Sequence, residues 1–278
     1  MNKMLLLVSI LLACLLCVMI VMTVRVYRMY PQSWRFDLEK DDNDIYMATV
    51  NVAGRSVKLA VDTGSSHFVY GKKDLSNPNE TLVYGSQILS VRRTRELVNG
   101  VLMGVAQYRP DPGHYNILGM SGFAEAMGAD SFVIHLGPRK KYLELNKKDK
   151  DAEEDAEEDA EKEGAVRIPR VFLPQIPENL YVVMGSVEGK PQPVVLDTGS
   201  NTLTIGSKTG IRAPFSDISL GKGVVLKGTY TEFSKKVNGN FIERKCLIVP
   251  GIMLEGYHML FEKDAVTFSK LNTNNNAI

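Results

Sequence analysis

Two identical tetrapeptides, Asp62-Thr63-Gly64-Ser65 and Asp197-Thr198-Gly199-Ser200, stand 135 positions apart in this chain. Each follows an apolar run, Leu59-Ala60-Val61 or Val194-Val195-Leu196, and each leads through alternating apolar residues to a glycine, Gly71 or Gly206. At ordinary residue usage a given tetrapeptide arises at about one position in 10⁵, so two copies in matching surroundings are not an accident of composition. An aspartate that ends an apolar strand and enters a Thr-Gly turn sits where the backbone can run close to something else. If two such turns meet, their carboxyls cannot both ionise easily and share one proton. The charged member can then take a proton from water, while the neutral one polarises a substrate carbonyl. The chemistry expected of Asp62 and Asp197 is direct attack of water on a peptide bond, with no covalent intermediate, metal or cofactor.

The elements that position such a pair are themselves repeated. Residues 46–71 and 181–206 align without a gap, with Tyr46 matching Tyr181, Val52 matching Val187 and Gly54 matching Gly189. Two copies are too few for a solenoid and predict a duplicated lobe about a pseudo-two-fold axis. A lone Asp-Thr-Gly is usually an ordinary turn; the symmetric pair carries the reading. His67 invites a Ser-His-Asp story, but no nucleophile elbow accompanies it. Cys246 reads as a small buried hydrophobe rather than a nucleophile.

The strand texture is continuous on either side of an acidic tract. Residues 47–52 and 57–61 flank an Ala53-Gly54-Arg55 turn. Residues 82–91 and 96–107 continue the pattern, with Asn99-Gly100 as a hairpin signal, and Asn116 to Gly119 follow a Pro-Gly loop. Pairs at 131–136 and 141–145, and at 257–261 and 265–268, close the two halves. No long amphipathic helix stands outside the N-terminus, so the predicted class is all-β and bilobal. Residues 147–163 repeat Asp-Ala-Glu-Glu and hold no apolar residue larger than alanine, so they cannot bury a core. The expected organisation is an anchor at 1–29, a first lobe at 30–146, an acidic linker at 147–167 and a second lobe at 168–278.

Composition narrows the function classes. A formal net charge of +1 over 278 residues argues against a general nucleic-acid binder. Of three cysteines, Cys14 and Cys17 lie in the apolar N-terminus, leaving Cys246 without an intrachain partner and favouring a reducing face or a virion interior. The four histidines show no metal-ligand spacing. Residues 4–24 carry no charge over 21 positions, enough to span about 30 Å of hydrocarbon as a helix. With no small-residue cleavage site, they predict a retained single-pass anchor. Arg25, Arg28 and Arg35 after the run would keep the bulk of the chain cytoplasmic, while the sequon at Asn79 points the other way. The membrane, host or virion, stays open.

With these residues in view, the chain resembles the pepsin-like aspartic proteases, in a compact form with lobes slightly larger than one subunit of the retroviral dimeric enzymes. The twin motifs, Val61 to Ser65 and Leu196 to Ser200, carry the resemblance, which covers roughly residues 44–146 and 168–270. It implies that Asp62 and Asp197 are the catalytic pair. Ser65 and Ser200 would bond the outer carboxylate oxygens. Thr63 and Thr198, with Gly64 and Gly199 beside them, would lock the two turns together. Val83-Tyr84-Gly85-Ser86 resembles the tip of a flap closing over substrate. Ile117-Leu118-Gly119 resembles the apolar-apolar-glycine segment beside the catalytic turn, with Ile248-Val249-Pro250-Gly251 as the nearest second-lobe counterpart. The resemblance further implies a monomeric catalytic unit that binds an extended polypeptide in the interlobe cleft. The serine after each turn adds donors, which should depress the carboxyl pKa values and favour an acidic optimum. The departures are a short first loop, Val69 where the family often has tryptophan, and no framework disulfides. They leave two other readings: a silent pepsin-like membrane protein with a binding or structural role, as in a viral envelope, and an adaptor that captures partners through its acidic tract.

Overall fold

The structure is a computed structural model that describes residues 12, 15–19, 33–84, 87–111, 113–147, 164–221, 223–231, 234–236, 242 and 245–271. The chain divides into two units, Met1–Trp34 and Arg35–Ile278. In the first unit, residues 12 and 15–19 are helical and exposed; the rest of the predicted anchor at 4–24 lies outside the described residues. Among the described residues no helix is long and apolar enough to cross a membrane.

From Ser33 onward the repeat is built strand for strand. In the first half, β1 (Ser33–Lys40), β2 (Tyr46–Val52), β3 (Arg55–Asp62) and β4 (Phe68–Gly71) lead to β5 (Glu80–Tyr84), β6 (Gln87–Val98), β7 (Val101–Tyr108) and β8 (Ile117–Gly119). Helix α1 (Met120–Ala126) and the pair β9 (Ser131–Leu136) and β10 (Lys141–Asn146) complete it. The second half opens on β11 (Val166–Pro169), then β12 (Val182–Val187), β13 (Lys190–Asp197), β14 (Thr204–Gly206), β15 (Phe215–Gly221), β16 (Val224–Tyr230) and β17 (Ser234–Lys236). It ends with β18 (Leu247–Pro250), a 3₁₀ turn at Gly251–Leu254, β19 (Tyr257–Phe261) and β20 (Ala265–Lys270).

The hairpins leading into the two motifs use the same turn. Ala53-Gly54 adopts φ of 50° and 82°, and the equivalent Glu188-Gly189 adopts 49° and 78°. This left-handed pair matches the twist of the strands it joins, which explains why glycine recurs at 54 and 189. Asn99-Gly100 makes the same turn between β6 and β7, with φ of 47° and 83°.

Among the described residues thirteen strands form one sheet in the order β11-β20-β19-β9-β10-β1-β2-β3-β8-β4-β7-β6-β5, and seven form another, β16-β15-β12-β13-β18-β14-β17. The large sheet joins the halves: β19 pairs antiparallel with β9, from His258 opposite His135 to Phe261 opposite Phe132. Below that ladder Phe132 and Phe261 stack at 4.7 Å, and Tyr181 meets both edge-on. The runs that enter the motifs are buried on both faces, with Leu59, Val61, Val194 and Leu196 at 0 % exposure, as their unbroken apolar sequence requires.

The strand pattern at 82–91 is divided between the two arms of a hairpin, with Tyr84 opposite Gln87 and residues 85–86 between them outside the described set. One sequence expectation needs correction: α1 is absent from the all-β reading. It has seven residues, no side-chain N-cap and no acidic first turn, so it gives none of the usual start signals.

Candidate active site

The two motif turns have the same construction. β3 delivers Asp62 at its last position, where it pairs in parallel with Gly119 of β8; β4 then returns on the far side of β8. β13 delivers Asp197 opposite Pro250 of β18, and β14 returns beyond β18. In each half a third strand is thus threaded between the strand entering the turn and the strand leaving it. Each turn folds onto its own carboxylate: Gly64 N donates to Asp62 Oδ1 at 2.7 Å and Gly199 N to Asp197 Oδ1 at 3.1 Å.

The threonines tie the turns to each other. Thr63 Oγ1 donates to Leu196 O at 2.6 Å and accepts from Thr198 N at 3.1 Å. Reciprocally, Thr198 Oγ1 donates to Val61 O at 2.6 Å and accepts from Thr63 N at 3.2 Å. Both side chains are fully buried, so each hydroxyl satisfies two backbone groups of the structure that would otherwise be stranded.

That lock brings each glycine against the opposite carboxyl. A Cβ on Gly64 would lie 2.7 Å from Asp197 Cγ, and one on Gly199 would lie 2.5 Å from Asp62 Cγ. Neither glycine needs a left-handed φ; here the residue type supplies space. Asp62 is 2 % exposed. Burial, the neighbouring Asp62 charge and a hydrogen bond between the two carboxyls hold the Asp197 acid well above the usual carboxylate range, against the opposing N–H groups of Gly199 and Ser200. The expectation of a depressed pKa is therefore reversed at Asp197: local donors pull in the expected direction but are outweighed. A pair in this state holds one proton between two oxygens.

The serine hydroxyls form local bonds. Ser65 Oγ accepts from His67 N at 3.1 Å. Ser200 Oγ donates to Thr202 O at 3.0 Å and accepts from Thr202 N at 3.4 Å. His67 contributes its backbone, since its carbonyl accepts from Gly119 N at 3.0 Å. Its ring is pushed toward the neutral form by burial and by Arg93. Gly119 has no room for a side chain, because a Cβ there would lie 2.4 Å from His67 N.

Of the flap residues, Tyr84 ends β5, while Gly85 and Ser86 lie outside the described residues. The base of this hairpin is a packed cluster in which Leu82 and Leu89 join Val69, Tyr108 and Ile117. Val69 thus fills the core beneath the hairpin. A residue the sequence reading left without a role is Tyr46, first in the repeat alignment. Its hydroxyl donates to Glu255, which also faces Lys40 at 3.5 Å. Its ring packs beside Gly251 and Thr198. Among the described residues no group of three or more His, Cys, Asp or Glu side chains could hold a metal ion.

No protein-family model and no curated protein matches the sequence. Among solved structures, the chain is similar to the crystal structure of aspartic proteinase from Irpex lacteus, with a TM-score of 0.59 and 13 % identity. The match covers 88 % of this chain and 100 % of that one. The fold is pepsin-like. The likeness extends to the full length of that chain, so both lobes of the pepsin-like architecture are present, not a single repeat unit.

Proposed function

We propose that this pepsin-like protein is an aspartic endopeptidase, with Asp62 and Asp197 as its catalytic pair. The observation that carries the reading is the reciprocal threonine lock, which holds the buried Asp62 carboxyl and the half-buried Asp197 carboxyl against each other so that they retain one proton. The ionised carboxylate accepts a proton from the attacking water as its oxygen bonds to the scissile carbonyl carbon. The protonated partner donates to the carbonyl oxygen. The resulting tetrahedral species collapses with proton transfer to the leaving amine. Both carboxyls come from one chain, so the catalytic unit is a monomer, and its substrate is a polypeptide extended beneath the β5–β6 hairpin. The uncharged run at 4–24 anchors the enzyme in a membrane.

The test is hydrolysis of an unstructured protein such as casein across pH, with and without pepstatin. The expected result is a bell-shaped profile, inhibition by pepstatin, and loss of activity in both Asp62→Asn and Asp197→Asn. Activity persisting in either variant refutes the pairing. The anchor is read separately, by retention of the full chain in alkali-washed membranes and its release when residues 1–29 are deleted.

A further inference from the structure

The two halves of the site differ at one backbone hydrogen. In the first half Gly119, paired with Asp62, donates its N–H to His67 O at 3.0 Å. In the second half the register places Pro250 opposite Asp197, in the role of Gly119. The repeat places Thr202 in the role of His67, as the shared bond from its N–H to the motif serine confirms. Proline has no N–H to give, so Thr202 O lacks the donor that His67 O receives. It takes the Ser200 hydroxyl instead, at 3.0 Å. A hydroxyl has one proton to donate. Committed to Thr202 O, it is not available to the Asp197 carboxyl, whose partners are the Asp62 carboxyl and the backbone N–H groups of Gly199 and Ser200.

We propose that Pro250 is a positioning residue that biases the shared proton of the site. By leaving Thr202 O without a backbone donor, it draws the Ser200 hydroxyl away from Asp197 and makes Asp197 the carboxyl that favours the protonated form. This rests on the protease reading and assigns the proton within it. Asp197 becomes the acid that polarises the carbonyl, and Asp62 becomes the base that takes the proton from water. The burial and neighbouring charge that raise the Asp197 acid act in the same direction as the diverted hydroxyl.

The test restores the missing N–H. Pro250→Ala supplies it while keeping a Cβ at that position, and Pro250→Gly reproduces the first-half residue. In either variant Thr202 O gains a backbone donor and the Ser200 hydroxyl turns to Asp197. The upper limb of the pH–rate profile should then move down by about one to two pH units, the size of one hydrogen bond to a charged group. Adding Ser200→Ala to Pro250→Ala should return the limb toward its original position. A merely structural role for the proline lowers kcat or stability but leaves the limb in place, and that result overturns the proposal. So does a shift that survives Ser200→Ala. Infrared titration of the protonated carboxyl C=O stretch follows the same change without turnover. It separates the two possible failures: an inactive protein whose carboxyl titration still moves with Pro250→Ala loses the protease reading alone, and a titration that does not move loses this proposal.

Discussion

Thr198→Val removes one oxygen and little else, which makes it the sharpest probe of how the two halves are held together. The lost hydroxyl donates to Val61 O and accepts from Thr63 N. Both groups are buried, with Val61 and Thr63 at 0 % exposure, so water cannot replace the bonds. A buried donor or acceptor left unpaired costs about 1–3 kcal/mol, so two stranded groups amount to about 2–6 kcal/mol. Thr198→Ser keeps the oxygen and loses one methyl group, at about 1 kcal/mol. Against a total stability of roughly 5–15 kcal/mol for a folded chain, the difference is large enough to resolve. The assay is urea denaturation of the full chain in detergent, comparing midpoints at constant m. The expected order of stability is wild type, then Ser, then Val by a wide margin. The same preparations give kcat, which should fall in Val by about 10²-fold or more if the carboxyls separate by even 1 Å. If Val proves as stable as Ser, the threonine oxygens do not join the lobes and the argument for a preformed carboxyl pair fails.

Three further outcomes follow from the same geometry. Gly64→Ala and Gly199→Ala drive a Cβ to 2.7 Å and 2.5 Å from the opposite carboxyl carbon. Each should lower stability by about 1–3 kcal/mol through overpacking and abolish peptidase activity. Gly54→Ala, with nothing within 4 Å of its Cβ, should lose stability through its positive φ yet keep its activity. Asp197→Asn should stabilise the protein at neutral pH. The folded-state pKa of Asp197 is raised, so its contribution is fully present below the unfolded value of about 3.9 and is lost as pH rises through the folded value. Thermal melts should show the variant's advantage growing from acid to neutral pH; a constant offset contradicts the assigned direction. His135 runs the other way, its ring held toward the neutral form first by burial and then by His258, Arg35 and Lys140. Its contribution is present above the unfolded value of about 6.5 and is lost as pH falls through the lower folded value. His135→Gln should therefore flatten the decline in melting temperature on acidification.

The two motif turns were legible in the sequence because their geometry tolerates so few residue types. Thr63 and Thr198 each need a hydroxyl on a short branched stem. Gly64 and Gly199 need the absence of a Cβ, and Gly54 and Gly189 need a left-handed φ. Each constraint leaves an identifiable letter. The second-half segment beside Asp197 was blurred because Pro250 occupies the paired position and the glycine falls one residue later, at Gly251, packed against Tyr46 and Thr198. α1 was invisible because seven residues hold too few turns to show a period, and its capping is purely backbone. The role of Tyr46 depends on Glu255, 209 positions away, and no local pattern records that. Ser200 carried the right residue type but not the partner: its hydroxyl goes to Thr202 O, beside a third strand that has proline where the first half has a backbone N–H.

The acidic tract lies between halves that have little need of it. β10 ends at Asn146 and β11 begins at Val166 in the same sheet, separated by β9, β19 and β20. Four strand spacings amount to about 19 Å, whereas the intervening residues 147–165 could reach about 60 Å if extended. Length is therefore in excess, and the composition is free to be anything that stays solvated. What holds the halves is the β9–β19 ladder and the four threonine bonds across the turns. None of these passes through the tract. A cleavage site placed within 147–163 and cut after folding should give two fragments that co-purify, keep one cooperative melt and retain wild-type kcat. Separation of the fragments in the absence of denaturant would mean that the tether, not the sheet, keeps Asp62 against Asp197.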